Sequence, residues 1–175
     1  KHIAYQCWRE CCGTVMQEGY IFSNTIARNI TMGDNPVNQK KLQKSAQLAN
    51  ISSFIETLPL AYNTVIGAEG IGLSSGQKQR ILIARAIYKN PKYLFFDEAT
   101  SALDANIEKE IMKNMETFFL GKTVVIIAHR LSTVRNADQI VVLENGQIKE
   151  TGNHKSLTAL KGSYYSLVKN QLELG

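Results

Sequence analysis

The sequence predicts an α/β layered fold on a mostly parallel sheet. Strand-like runs alternate with helix-like runs along its 175 residues. Tyr93-Leu94-Phe95-Phe96 is continuously apolar, as a parallel strand covered on both faces is. An apolar fraction of 44% over this length is enough for one domain with a sizeable core.

Each element has a local reason. Cys12 to Met16 reads as a short strand ending at Gln17. Asn38 caps a helix that carries Leu42, Ala46 and Ala49 on one face. Ser52 to Thr57 is helical and stops at Leu58-Pro59, where proline lacks a donor and restricts its neighbour. A glycine-rich loop, Gly67 to Gly76, leads into an apolar helix through Ile81, Leu82, Ile83, Ala84, Ala86 and Ile87, which Asn90-Pro91 ends. The strand Tyr93–Phe96 follows. Asp104 caps a helix whose Ile107, Ile111, Met115 and Phe118 form an apolar stripe. Thr123 to Ala128 is a β-branched strand that delivers His129. Ile140–Leu143 and Gln147–Lys149 flank Glu144-Asn145-Gly146 as a hairpin, and Tyr164 to Leu172 is the last helix.

Composition excludes some functions. The net charge of +5 is spread out, and Lys40-Lys41 is the only adjacent basic pair, a solvated helix face and not a nucleic-acid stripe. No apolar run approaches the roughly 18 residues that a membrane-spanning helix needs. Lys1-His2-Ile3 has no signal-peptide pattern behind it. Cys7, Cys11 and Cys12 are odd in number, and two are adjacent, so they read as reduced thiols used in packing. A zinc site would need a fourth ligand, and His2 has no typical zinc spacing.

Three short patterns mislead. Gly121-Lys122-Thr123 looks like the tail of a phosphate loop, but Glu116 stands where glycine is required and a strand follows. Gly70-Ile71-Gly72 lacks the third glycine of a dinucleotide fingerprint, since Ser75 occupies that position. Ser101 near His129 has no nucleophile elbow around it.

The chemistry lies in Leu73-Ser74-Ser75-Gly76-Gln77 and Asp97-Glu98. A serine- and glycine-rich helix start offers backbone N–H groups to an anion. Two carboxylates at the tip of a buried strand suit a metal ion and a water that must be deprotonated. Order and spacing point to nucleotide phosphate chemistry.

Gly72-Leu73-Ser74-Ser75-Gly76-Gln77-Lys78-Gln79-Arg80 resembles the signature of the ATP-binding cassette (ABC) ATPases, and Asp97-Glu98 the end of their Walker B strand. The resemblance runs from about Cys12 to the C-terminus. It implies a P-loop NTPase fold, truncated at the N-terminus, in which residues 32–90 form a helical signature subdomain. Residues 12–31 and 91–175 would form the rest of the core, including the C-terminal hairpin. It implies ATP and Mg²⁺ as ligands. Asp97 and the Q-loop glutamine Gln17 would hold magnesium, Glu98 would act as general base, and His129 as the switch histidine on the γ-phosphate. Ser74, Ser75, Gly76 and Gln77 would bind ATP held by an opposite subunit, in a head-to-tail dimer of nucleotide-binding domains. Ser75 replaces the usual second glycine, with a strain cost of about 1 kcal/mol if that position needs positive φ. Ala99 to Asp104 would be the D-loop crossing that interface. The Walker A loop and lysine would precede Lys1.

Thr64 to Gly70 resembles the loop by which exporters touch the coupling helices of a transmembrane domain, as the Gln17 region also does. Gly19-Tyr20-Ile21-Phe22, Thr25 to Ile30 and Gly162 to Tyr165 look most like bacterial peptide exporters, many with an N-terminal peptidase domain. That places the chain on the cytoplasmic face of a bacterial inner membrane, driving export of peptides or small proteins. Two alternatives stand beside it: a soluble ABC ATPase of DNA repair or translation, and a non-catalytic interaction module.

Overall fold

The computed structural model describes residues 4–33, 35–100, 102–127 and 134–173. In chain order the elements are α1 (Tyr5–Cys11), β1 (Cys12–Val15), β2 (Asn24–Thr25), α2 (Ile26–Thr31), α3 (Gln39–Leu48), α4 (Ser52–Glu56), β3 (Val65–Ile66), α5 (Ser75–Lys89) and β4 (Tyr93–Asp97). They continue as α6 (Ala105–Phe119), β5 (Thr123–Ile127), β6 (Ile140–Glu144), β7 (Gln147–Gly152), α7 (His154–Leu160) and α8 (Ser163–Glu173). The chain divides into two compact units, Lys1–Ile127 and Ala128–Gly175.

The first unit has a three-stranded sheet in the order β1-β4-β5, parallel throughout. Cys12 pairs with Tyr93 and Tyr93 with Thr123, so all three strands end at one edge. Leu94 and Phe96 of β4 are buried, and Tyr93, Phe95 and Asp97 are half-buried, as a strand between two layers should be. Helix α5 packs against β1, α2 and α3, and its Ile81, Ile83 and Ile87 join Val15, Ile26, Ile30, Leu42 and Leu94 in one core. Ile111 and Met115 of α6 are fully buried, with Ile107 and Phe118 packed beside them, which is the predicted stripe.

Capping fixes the helix starts. Asn38 Oδ1 accepts from Lys41 N at 3.0 Å, and Asp104 Oδ1 from Asn106 N at 3.0 Å and Ile107 N at 2.9 Å. Asn90 ends α5 in the left-handed conformation. The glycine-rich loop is shorter than expected, because Ser75 and Gly76 already lie inside α5.

The second unit is the hairpin β6-β7 with α7 and α8. Asn145 (φ 51°) and Gly146 (φ 75°) make its turn, as the Asn-Gly pair predicts. Ile140, Val142, Leu157, Tyr164 and Val168 form its core. Glu150 holds the start of α8, accepting from Ser163 N at 2.6 Å and Tyr164 N at 3.0 Å.

Some expectations need correction. The cysteines are free thiols, but none belongs to the core: Cys7 is exposed and Cys11 half-buried on α1, which buries none of its residues, and Cys12 at the start of β1 is half-buried. Lys122 Nζ sits 4.9 Å from the centre of the Phe118 ring, engaged with an aromatic face. Ser101 and His129 lie outside the described residues. No helix among the described residues is long and apolar enough to cross a membrane.

Candidate functional site

The site is built at the edge where the parallel strands end, the place where open α/β sheets bind ligands. Asp97 is the last residue of β4, half-buried, and pairs in register with Ile127 of β5. Glu98 follows with φ 47°, a left-handed conformation that costs a residue with a Cβ of order 1 kcal/mol or more. Its N–H donates to Ile127 O at 3.1 Å, which pins the turn to the neighbouring strand. Gln17 stands exposed in the turn just past β1, whose Val15 is in register with Phe96. Gln17, Asp97 and Glu98 are therefore presented from one edge.

Asp97 and Gln17 offer hard oxygen donors. Among the described residues no group of three or more His, Cys, Asp or Glu could hold a metal ion. This donor set fits magnesium, which takes one or two carboxylates and completes its shell with water and phosphate oxygens.

The second part is the start of α5. Ser74 is its N-cap, and Ser74 with Gln77 forms a capping box: Ser74 Oγ accepts from Gln77 N at 3.2 Å, and Gln77 Oε1 accepts from Ser74 N at 2.9 Å. Ser74 and Ser75 are exposed. Ser75 is the first helical residue, so the strain expected of a serine there does not arise. Gly76 lies against the segment before α6, and a Cβ on it would come 3.4 Å from Ala102 O. Arg80 donates from Nε to Gly76 O at 3.3 Å and from Nη1 to Asn50 O at 2.6 Å. Burial lowers the Arg80 pKa, and Asp104 opposes that by attraction. Asp104 thus caps α6 while its charge faces α5.

One functional cluster escaped the sequence reading. Asn29, fully buried, accepts from Phe22 N at 2.9 Å and donates to Phe22 O at 2.9 Å, Asn24 O at 3.2 Å and Thr25 O at 3.1 Å. Arg85 of α5 donates to Asn29 O at 2.7 Å and Tyr20 O at 3.0 Å, and burial lowers its pKa. Together they shape the segment after Gln17. That segment pairs through β2 with β3, so Thr64 to Gly70 is joined to it: Asn24 pairs with Ile66, and Ile26 N donates to Thr64 O at 3.0 Å. The available signal was an asparagine directly before Ile30, on the helix face that Ile26 and Ile30 mark as apolar.

A sequence model described as ABC transporter matches residues 2–101. ABC transporter B family member 14 of Arabidopsis thaliana is 48% identical over 171 residues, 98% of this chain and 14% of that protein. The alpha-hemolysin translocation ATP-binding protein HlyB of Escherichia coli O157:H7 is 49% identical over 158 residues, 90% of this chain and 22% of that protein. A bacterial Atm1-family ABC exporter with ATP bound superposes with a TM-score of 0.92 at 38% identity, over 98% of this chain and 30% of that chain. The chain thus spans less than a quarter of the length of these two relatives. With this match over more than half its residues, and with the parallel sheet and capped signature helix seen here, the chain belongs to the ABC transporter family and has its ATPase fold.

Proposed function

We propose that the chain is part of the ATPase of an ABC exporter, and that it contributes a general base, a magnesium carboxylate and a signature helix. The observation that carries this is the pair at the tip of β4, where Asp97 ends the strand and Glu98 leaves it in a left-handed turn. The left-handed turn takes the backbone off the strand path directly after Asp97, and on this reading the two adjacent carboxylates have separate tasks. Glu98 accepts the proton of the attacking water. Asp97 and Gln17 hold magnesium, which when bound neutralises charge on the transferring phosphoryl group. His129 is assigned to the γ-phosphate.

Ser74, Ser75, Gly76 and Gln77 meet the nucleotide of a second nucleotide-binding domain, with Asp104 and the segment before it at the same interface. A helix N-terminus with exposed serines is a phosphate-facing surface. Residues 32–90 form the helical subdomain. The exposed Met16, Tyr20, Phe22, Val65 and Ile71, on segments that β2 and β3 tie together, face a transmembrane domain's coupling helices. The translocation named for the E. coli relative supports export of peptides or small proteins, from the cytoplasmic side of a membrane.

The test is Glu98→Gln in the complete protein. Loss of a general base costs typically about 10²–10⁴ in rate, so phosphate release should fall at least tenfold while ATP still binds. Turnover at the wild-type rate would remove Glu98 from the role.

A further inference from the structure

Helix α5 grips the chain on both sides of Gln17. Gln79, only 3% exposed, donates from Nε2 to Met16 O at 3.2 Å. Leu82 is packed so closely on Gly19 that a Cβ there would collide with Leu82 Cδ1. Arg85 Nη1 donates to Tyr20 O at 3.0 Å. The three side chains follow at steps of three residues along one side of the helix. Their partners Met16, Gly19 and Tyr20 bracket the exposed turn at Gln17 and Glu18.

A buried primary amide is unfavourable unless hydrogen-bonded, and an apolar side chain would fill the same space without fixing the direction of the Met16 carbonyl. Gln79 fixes that direction. Glycine at position 19 lets the backbone come down onto Leu82, and an added Cβ would force that buried side chain to shift. Helix α5 begins at Ser74. One rigid helix therefore carries the signature at its start and the grip on the Gln17 turn further along.

We propose that Gln79 is a positioning residue: with Leu82 and Arg85 it sets the Gln17–Glu18 turn against the strand-end edge, so that this turn and the Ser74–Gln77 helix start move as one piece. Gln79 itself touches no ligand. The functional half of this proposal rests on the reading of Gln17 as a magnesium ligand, whereas the mechanical half does not.

Two measurements on the complete protein separate the halves. In hydrogen–deuterium exchange, Gln79→Leu and, from the loop side, Gly19→Ala should each speed exchange of the amides just after the turn that do donate hydrogen bonds, Phe22 N to Asn29 Oδ1 and Asn24 N to Phe22 O, by about tenfold, leaving β4 unchanged. Unchanged exchange at those amides in both variants would overturn the grip. So would acceleration spread equally over β4, which would make Gln79 an ordinary core residue. In ATP hydrolysis, Gln79→Leu should raise the magnesium concentration for half-maximal rate about tenfold, as outer-shell changes do. The double variant with Gln17→Ala should be no worse than Gln17→Ala alone. Effects that multiply would show that Gln79 acts elsewhere and would overturn the functional half. A wild-type protein without ATPase activity would refute the ATPase reading, and the exchange result would still decide the grip.

Discussion

Glu98 leaves β4 with φ 47°, a conformation uncommon for a residue with a Cβ, and the proposed division of tasks between Asp97 and Glu98 falls at this turn. The sequence showed the pair but not the turn, since nothing in Asp97-Glu98-Ala99 demands a left-handed residue. Ser75 is the opposite case: a substitution expected to strain the loop falls on the first helical residue, where serine is unstrained. Asn29 is the polar residue on which the first unit most depends, because one amide serves three residues of the segment after Gln17 as well as Arg85. Asn29→Ala would remove the partner of Phe22 N, Asn24 O and Arg85 Nη2 in a part-buried place. It should cost about 2–4 kcal/mol, read as a lower urea midpoint for unfolding of the Lys1–Ile127 unit. An unchanged midpoint would mean that water replaces the amide at no cost.

At the scale of elements, the helices α3, α5 and α6 were legible because each joins a capping residue to an apolar period. The strand β4 was legible because its four successive apolar residues, Tyr93 to Phe96, admit few other readings. Helix α1 was not, since it buries no residue and its N-cap makes no side-chain hydrogen bond. Strands β2 and β3 have two residues each and exist only because chain positions about forty apart pair, which no local pattern announces. Of the candidate site, the carboxylates and the helix start were visible as types in order. The grip of α5 on Met16 and Tyr20 was not, because it joins residues more than sixty positions apart. In the second unit, Tyr164 shows how an element contact becomes a pH dependence. Its hydroxyl lies 2.8 Å from His154 Nδ1, and burial raises its pKa from the ordinary 10.0, with Arg135 opposing. The fold thus favours the neutral phenol. Below pH 10 both folded and unfolded chains keep that proton and the contribution is intact; above it the unfolded chain ionises first, and stability falls until the folded phenol also ionises. Melting temperature measured from pH 8 to 11 should therefore drop more steeply for the wild-type unit than for Tyr164→Phe. Parallel curves would show that Tyr164 does not carry the effect.

For the molecule as a whole, the distribution of parts sets what the chain does by itself. Among the described residues β5 ends the three-stranded sheet with an unpaired outer edge, where Val125 is 44% and Ile127 56% exposed. Such an edge invites another strand. The sequence holds no G-x-x-x-x-G-K-[ST] run, and the helix start at Ser74 is the part assigned above to the nucleotide of a partner domain. On that assignment a triphosphate would meet Asp97 and the exposed Gln17, but no phosphate loop of that sequence pattern. The 175-residue chain alone should show no saturable binding of magnesium-ATP at micromolar concentrations and no hydrolysis. Titration calorimetry distinguishes the cases: a dissociation constant near 10 μM, about −7 kcal/mol, would mean that the strand-end edge and the α5 start suffice without a phosphate loop. Flat heats, with activity restored only when the chain is part of the complete protein and its partner domain, would place the nucleotide's main hold outside these residues.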